Sequence, residues 1–155
     1  MISSKKILWV GIGAAALVAA ALFVTFCGLR TPSHISLHPT STVSLDGFPV
    51  RVVVADTPAE RAQGLSGVGG LAEDEGMLFV FPKDGEPSFW MKDMLFPIDM
   101  LWIDAAGRVV FIVPSVSPNT YPHAFTPNTP SRYVMELPAG FAMQHKIEVG
   151  SKLEI

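Results

Sequence analysis

An uncharged hydrophobic block, residues 7–29, constrains the fold of this 155-residue chain more than any other feature of its sequence. An α-helix rises about 1.5 Å per residue, so a block of this length is sufficient to cross the hydrocarbon layer of a bilayer. Lys5 and Lys6 precede the block, and Arg30 follows it. Because basic residues near a span tend to stay in the cytoplasm, this arrangement predicts a single-pass anchor in the cytoplasmic membrane, with the C-terminal part outside.

Two other interpretations of the same segment remain open. A cleaved secretory signal usually ends in small residues, and residues 19–21 are three alanines. The apolar run 22–26 continues beyond that point, which favours a retained anchor. Cys27 also fits a lipidated N-terminus after cleavage, although the bulky Phe26 before it is unfavourable for a signal peptidase. If the segment is cleaved without lipidation, the domain is secreted.

The sequence predicts three regions. Residues 1–30 are predicted to form a cytoplasmic tip and transmembrane anchor. Residues 31–42 are rich in Ser, Thr and Pro without an apolar period, which indicates a tether. Residues 43–155 are predicted to form one exported domain, since a single core typically needs about 100 to 150 residues.

Charge and cysteine content exclude several classes of site. From Thr31 onward the chain has eight Lys and Arg against 14 Asp and Glu, a net charge of −6. This acidity argues against nucleic acid as a partner, because phosphate binding requires a basic face. Cys27 is the single cysteine, so the exported domain has neither a disulfide nor a cysteine-based zinc site. We therefore expect no metal and no cofactor.

The exported domain consists of short apolar runs that Gly and Pro separate. Strands are expected at residues 50–55, 77–81, 88–92, 98–104, 108–113, 133–137 and 151–155. Residues 114–130 form a proline-rich loop between the fifth and sixth of these strands, and residues 139–145 suggest a short helical turn. Thr57-Pro58-Ala59-Glu60 is typical of a helix start, with Thr57 as N-cap and Glu60 completing a capping box. Many short strands and little helix predict a mainly β fold, an antiparallel sandwich or barrel.

Five motifs in this order resemble those of an uncharacterised family, domain of unknown function 192. The resemblance covers residues 50–155 and rests on segments 57–65, 75–81, 89–92, 97–104 and 134–140. It implies a compact antiparallel β-sandwich of jelly-roll type with one short helix, and it implies no established activity. Relatives usually carry Asn-Thr after the Phe-Trp-Met-Lys motif, whereas this chain has Asp93-Met94. If those polar groups form a ligand site in relatives, the resemblance implies that the site is altered or lost in this chain.

Charged residues inside apolar motifs mark a candidate site. A buried charge is costly unless it is paired and hydrogen-bonded, so each one needs an explanation. The functional interpretation places Arg61 and Lys92 around an anionic group and has Asp99 or Glu136 orient them. The structural interpretation pairs these residues with one another, for example Lys92 with Asp99. Both interpretations predict that these four charged residues lie close to one another in the fold.

Aromatic side chains provide a second kind of candidate surface. Phe89, Trp90, Trp102, Tyr121 and Phe125 are large enough to stack on sugar rings, although core packing is the default role for most of them. Alternation along an extended segment sends Trp90 to the opposite face from its neighbours. We therefore add Trp90 to the predicted ligand-binding residues, which are Arg61, Trp90, Lys92, Asp99 and Glu136.

Three functions are compatible with these residues. The first is a non-catalytic, membrane-tethered envelope module that binds a small polar or carbohydrate ligand. The second is an envelope carbohydrate hydrolase that uses Asp99 and Glu136 as a carboxylate pair about 5 to 10 Å apart. The third is a structural partner of another membrane protein, which an exposed apolar patch larger than about 400 Å² would indicate.

Overall fold

One curled sheet of seven strands forms the body of the domain. The computed structural model describes residues 38–155; the predicted anchor and most of the predicted tether lie outside the described residues. No helix in residues 38–155 has the length and apolar character needed to span a bilayer. The strands are β1 Ser41–Leu45, β2 Phe48–Ala55, β3 Glu75–Gly85, β4 Phe89–Trp90, β5 Ile98–Ile103, β6 Val109–Val116, β7 Ala124–Phe125, β8 Ser131–Pro138 and β9 Leu153–Glu154.

Helices are short and few in this part of the chain. Helix α1 is Pro58–Gln63, a 3₁₀ turn covers Pro118–Thr120, and α2 is Phe141–Gln144. The predicted capping box of α1 is confirmed: Thr57 Oγ1 accepts from the Glu60 amide at 3.2 Å, and Glu60 Oε2 accepts from the Thr57 amide at 3.0 Å. The mainly β class with little helix is therefore confirmed.

The sheet differs from the predicted two-sheet antiparallel sandwich. Its strand order is β6-β5-β8-β3-β2-β1-β9, and a separate pair is formed by β4 and β7. All neighbours are antiparallel except β2 and β3, which are parallel. Parallel strands need a crossover connection, and the segment that contains α1 supplies it. A jelly-roll sandwich is thus replaced by a single sheet that curls into a half-barrel.

The two edges of the sheet approach each other at one end. Arg108, just before β6, forms an antiparallel bridge with Lys152, just before β9. The Leu153 amide donates to the carbonyl of Gly107 at 2.7 Å. Gly107 has a φ of +77°, and a Cβ at this position would lie 2.5 Å from the carbonyl oxygen of Leu153. Glycine is therefore required where the edges meet.

Apolar side chains cover both faces of the sheet. One core draws on β1, β2, β3, β5, β6, β8 and β9, including both edges, and so lies on the concave face, where Phe141 and Ala142 of α2 join it. The other core lies on the opposite, outer face and contains Phe79, Met100 and Trp102 together with residues of the connecting segments. Every residue of β5 is buried because β5 is covered on both faces.

Candidate functional site

A cavity of about 230 Å³ opens on the outer face of the sheet. Helix α1 and the segment after it form one wall, and residues 87–94 form the other. Arg61, Trp90, Lys92 and Glu136 all line this cavity. Four of the five predicted site residues are therefore brought together, and their predicted role in ligand binding stays a prediction.

Glu136 is placed at the cavity by the alternation of strand β8. Its neighbours Met135 and Leu137 belong to the concave core, so the side chain of Glu136 faces the outer side. Across the sheet, Glu136 is in register with Met77 of β3 and Met100 of β5. The residue is 4% exposed, and its Oε2 has no hydrogen-bond partner among residues 38–155.

The surroundings of Glu136 favour the protonated carboxyl. Burial raises the pKa of Glu136 to about 8, because the apolar neighbours do not solvate a negative charge. At neutral pH the group is therefore a carboxylic acid with one O–H donor. A buried polar group without a partner destabilises the folded state, so its presence beside a cavity needs a reason other than stability.

Arg61 of α1 is held against the middle of β3. Its Nη1 donates to the carbonyl oxygens of Asp56 and Val80, the latter at 2.9 Å. The guanidinium also lies over the ring of Phe81, 5.2 Å from the centroid, which is a cation–π contact. These contacts leave other guanidinium N–H groups available to a ligand, because Arg carries five donors.

The opposite wall is joined to the segment after α1 by two hydrogen bonds. Ser66 Oγ donates to the carbonyl of Lys92 at 2.9 Å, and the Gly67 amide donates to the carbonyl of Asp93 at 3.0 Å. Both bonds use backbone carbonyls of the second segment and do not engage the side chain of Lys92, which is an exposed residue. Asp93 has a φ of +56°, a conformation in which Asp and Asn are enriched among non-glycine residues.

Trp90 lies at the mouth of the cavity with 54% of its surface exposed. Its neighbours Phe89 and Met91 pack into the outer core, which confirms the predicted alternation. The ring of Tyr121 meets the Trp90 ring edge-on, with centroids 6.0 Å apart and an interplanar angle of 71°. The other three candidate aromatics, Phe89, Trp102 and Phe125, pack into the outer core.

Asp99 does not belong to this cavity. It is fully buried, and its carboxylate accepts from the amides of Ser115 at 2.7 Å, Gly140 at 3.0 Å and Ala142 at 2.8 Å. The residue joins the start of α2 to the end of β6. Its predicted place in the site, and its predicted pairing with Lys92, are both wrong because three backbone donors already satisfy its two oxygens.

The predicted hydrolytic pair of Asp99 and Glu136 is likewise not formed. In the register of β5 and β8, Met100 lies opposite Glu136 and Asp99 lies opposite Leu137. Glu136 therefore shares the outer face with Met100, whereas Asp99 points with Leu137 to the concave face. Two carboxylates on opposite faces of one sheet cannot flank a single glycosidic bond.

Sequence reasoning missed several residues that complete the cavity. Gly64 ends α1 with a φ of +50°, and Ser66 links the two walls. Met94 lines the cavity and is 8% exposed. A glycine after an amphipathic start is a signal for the end of a helix, but nothing in the local pattern distinguishes Ser66 or Met94 from ordinary loop and core residues.

Comparison with known proteins supports the resemblance found in the motifs. Residues 41–155 match the family DUF192, described as "Uncharacterized ACR". A UPF0127 protein of Thermococcus kodakarensis is 30% identical over 102 residues, which is 64% of this chain and 61% of that protein. A UPF0127 protein of Thermococcus gammatolerans is 33% identical over 101 residues, covering 64% of this chain and 62% of that protein. The match thus spans about three fifths of these relatives.

Two solved structures share the fold. A Sinorhizobium meliloti protein described as a "putative transcription regulator" superimposes with a TM-score of 0.71 at 31% identity, covering 76% of this chain and 95% of that chain. A Novosphingobium aromaticivorans protein of unknown function gives a TM-score of 0.71 at 28% identity, covering 77% of this chain and 91% of that chain. In both comparisons the aligned region includes nearly all of the solved chain.

Proposed function

Since this chain belongs to the DUF192 family, which is described as uncharacterised, we propose from its own geometry that the domain is a non-catalytic binding module for a small polar or carbohydrate ligand. The ligand occupies the outer-face cavity above Glu136. Arg61, Trp90 and Lys92 contribute the remaining contacts.

The unpartnered carboxyl of Glu136 is the observation that carries this proposal. A buried polar atom without a partner is rare in folded proteins, and Glu136 Oε2 is such an atom beside an open cavity. A ligand that hydrogen-bonds to this carboxyl removes the cost of leaving it unsatisfied. Replacing the residue by an apolar one of similar size is therefore expected to stabilise the free protein and to abolish binding.

The composition of the cavity favours binding over two-carboxylate hydrolysis. Glu136 is the single acidic residue that lines the cavity in the described part of the chain. Hydrolysis of a glycosidic bond by the usual mechanism needs a second carboxylate across the cleft. Arg61 and Lys92 are cations and cannot take that role, whereas cations and an aromatic ring are well suited to holding a ligand in place.

Chemical-shift perturbation tests the proposal directly. The full chain, in micelles of a detergent without a sugar headgroup, is titrated with a panel of monosaccharides and small organic acids. We expect at least one ligand to shift the indole signal of Trp90 and the amides of residues 64–67, and Glu136→Leu to abolish these shifts. If Glu136→Leu binds every ligand as the wild type does, the cavity is not the binding site.

We further propose that this module works outside the cytoplasmic membrane and is tethered by the block at 7–29. The uncharged length of the block and the basic pair before it support this arrangement. A reporter enzyme that is active only outside the cytoplasm, fused after Ile155, should be active and should stay with the membrane after alkaline extraction. A reporter that is active only in the cytoplasmic orientation would contradict it.

A further inference from the structure

We infer that the ligand of this cavity is an acidic sugar, a small hydroxylated ring that carries a carboxylate. Its carboxylate lies at the mouth near Arg61 and Lys92, and a ring oxygen or hydroxyl accepts a hydrogen bond from Glu136. This inference rests on the proposed function and narrows it from polar ligands in general to one chemical class.

The floor of the cavity requires a hydrogen-bond acceptor from the ligand. Glu136 is flanked in the sheet by Met77 and Met100, which carry no charge. The titratable groups that face the same cavity are Arg61 from α1 and Lys92 from the segment after β4. A neutral carboxyl offers one O–H donor, and a sugar hydroxyl or ring oxygen accepts such a bond without bringing a charge into the apolar floor.

The mouth of the cavity requires a negative charge. Among the described residues, the ion pairs join Arg51, Arg108 and Arg132 to acidic partners, and neither Arg61 nor Lys92 takes part in one. Two cations therefore line one cavity in a domain whose net charge is negative. A carboxylate placed between them gains charge-assisted hydrogen bonds, and Arg is suited to bidentate contact with this group.

The shape and size of the cavity fit one ring. Trp90 lines the cavity with about half of its surface exposed. The ring of Tyr121, which does not line the cavity, packs edge-on against the indole. The flat face of an indole packs against the C–H face of a sugar. A volume of about 230 Å³ lies below the roughly 300–1,000 Å³ of typical ligand pockets, which favours a monosaccharide over a longer chain.

Calorimetric titration of the full chain with three sugars tests the inference. Glucuronate carries a carboxylate at C6, glucose carries no charge, and glucosamine lacks the carboxylate and carries an ammonium group at C2. At pH 6 we expect glucuronate to bind about tenfold or more tightly than glucose, because one charge-assisted hydrogen bond contributes about 1.4 kcal/mol or more. Glucosamine is expected to bind more weakly than glucose, since the mouth repels it.

Substitutions test the contributions of the cavity floor, at Glu136, and of the cavity mouth, at Lys92, one at a time. Lys92→Gln should remove most of the preference for glucuronate over glucose, whereas Lys83→Gln, at an exposed lysine outside this cavity, should leave that preference as in the wild type. Raising the pH from 6 to 9 should weaken glucuronate binding to the wild type about tenfold, because Glu136 loses its proton. Glu136→Gln keeps a donor and should show no such pH dependence.

The outcomes show whether the inference fails alone or together with the proposed function. Equal affinity for glucose and glucuronate leaves the binding module standing and overturns the acidic class. Tighter binding of glucosamine also overturns it, because the mouth then selects a cation. If none of the three sugars binds and no small organic acid shifts the Trp90 signal, both the inference and the proposed function are wrong.

Discussion

Asp99 and Glu136 are buried carboxylates on adjacent strands, but they differ in their hydrogen bonding. Asp99 accepts three backbone hydrogen bonds and fastens α2 to the sheet. Glu136 has an oxygen without any partner in the described residues and lies beside a cavity. Sequence alone presents both as acidic residues in apolar motifs, so burial and hydrogen bonding are needed to distinguish a structural carboxylate from a candidate binding group.

Glu136 should make the domain less stable as the pH rises. Its pKa is about 8 in the folded state and about 4.5 when exposed, so the folded protein binds more protons than the unfolded protein between these values. The free energy of unfolding should therefore fall through this window, by roughly 1 kcal/mol per pH unit, and level off above it. Urea denaturation from pH 5 to 9 measures this slope.

Glu136→Gln provides the matched comparison for that slope. The amide does not titrate, while every other ionisable group is retained, so the difference between the two proteins isolates the contribution of Glu136. Four carboxylates have a lowered pKa and therefore act at lower pH, and all four are common to both proteins: Asp46, Glu60, Asp74 and Asp104. Parallel stability curves for wild type and variant would show that Glu136 is already ionised at neutral pH.

Asp99→Asn should destabilise the domain without altering the cavity. An amide keeps one acceptor oxygen and turns an NH₂ group toward one of the three backbone donors, which leaves a buried donor unsatisfied. We expect a loss of about 2 to 3 kcal/mol in the free energy of unfolding. Hydrogen exchange at the Gly140 and Ala142 amides should accelerate as well.

Asp84→Asn is a suitable control for that change. Asp84 is about half exposed and pairs with Arg132 at the surface, where an ion pair contributes at most about 1 kcal/mol. An equal loss of stability in both variants would show that Asp99 is no more important to the fold than a surface carboxylate. Ligand-induced shifts at Trp90 should be the same in both variants.

At the scale of elements, α1 is the part that its own sequence predicts best. Its capping box is local, so residues 57–60 carry all the information that starts the helix. Thr57→Ala should lower the free energy of unfolding by about 1 kcal/mol, because the Glu60 amide loses its acceptor. Thr57→Ser keeps the hydroxyl and should remain within a few tenths of the wild type; an equal loss in both would assign the effect to packing.

The strands were predictable in position but not in pairing. Alternation and β-branched residues locate β2, β5, β6 and β8 to within a few residues, yet no local signal shows that β2 and β3 run parallel. Strand β3 is longer than the strand expected at 77–81: it continues past Pro82 to Gly85, and its register against β8 shifts between Val80 and Gly85 in the manner of a bulge. Strand β1 begins at Ser41, inside the predicted tether, because it pairs with β2.

The candidate site follows the same division between local and distant information. Charged residues in apolar motifs pointed to Arg61, Lys92 and Glu136, which do line one cavity. Asp99 has the same sequence character, but its partners lie 16, 41 and 43 residues further along the chain. Those donors become neighbours only after the sheet curls, so no pattern around Asp99 reveals them.

For the whole molecule, the decisive feature is the meeting of the two sheet edges. An open edge strand exposes unpaired backbone groups, and curling brings β9 against the residues that precede β6. The concave core extends across this junction, since Val109 and Leu153 both belong to it. The last strand of the chain therefore completes both the hydrogen bonding and the core, although β9 contains two residues.

Leu153→Ala tests whether this junction stabilises the whole domain. Leu153 is 3% exposed, and truncating a buried leucine typically costs about 2 to 5 kcal/mol. Glu154→Ala on the same strand removes an exposed side chain and should stay within about 0.5 kcal/mol of the wild type. If the junction is a fraying end instead, Leu153→Ala should change global stability as little as Glu154→Ala does and should accelerate hydrogen exchange at the Leu153 and Val109 amides alone. If the meeting of the edges does stabilise the whole domain, Leu153→Ala should accelerate hydrogen exchange throughout the sheet, because the two edges share one core.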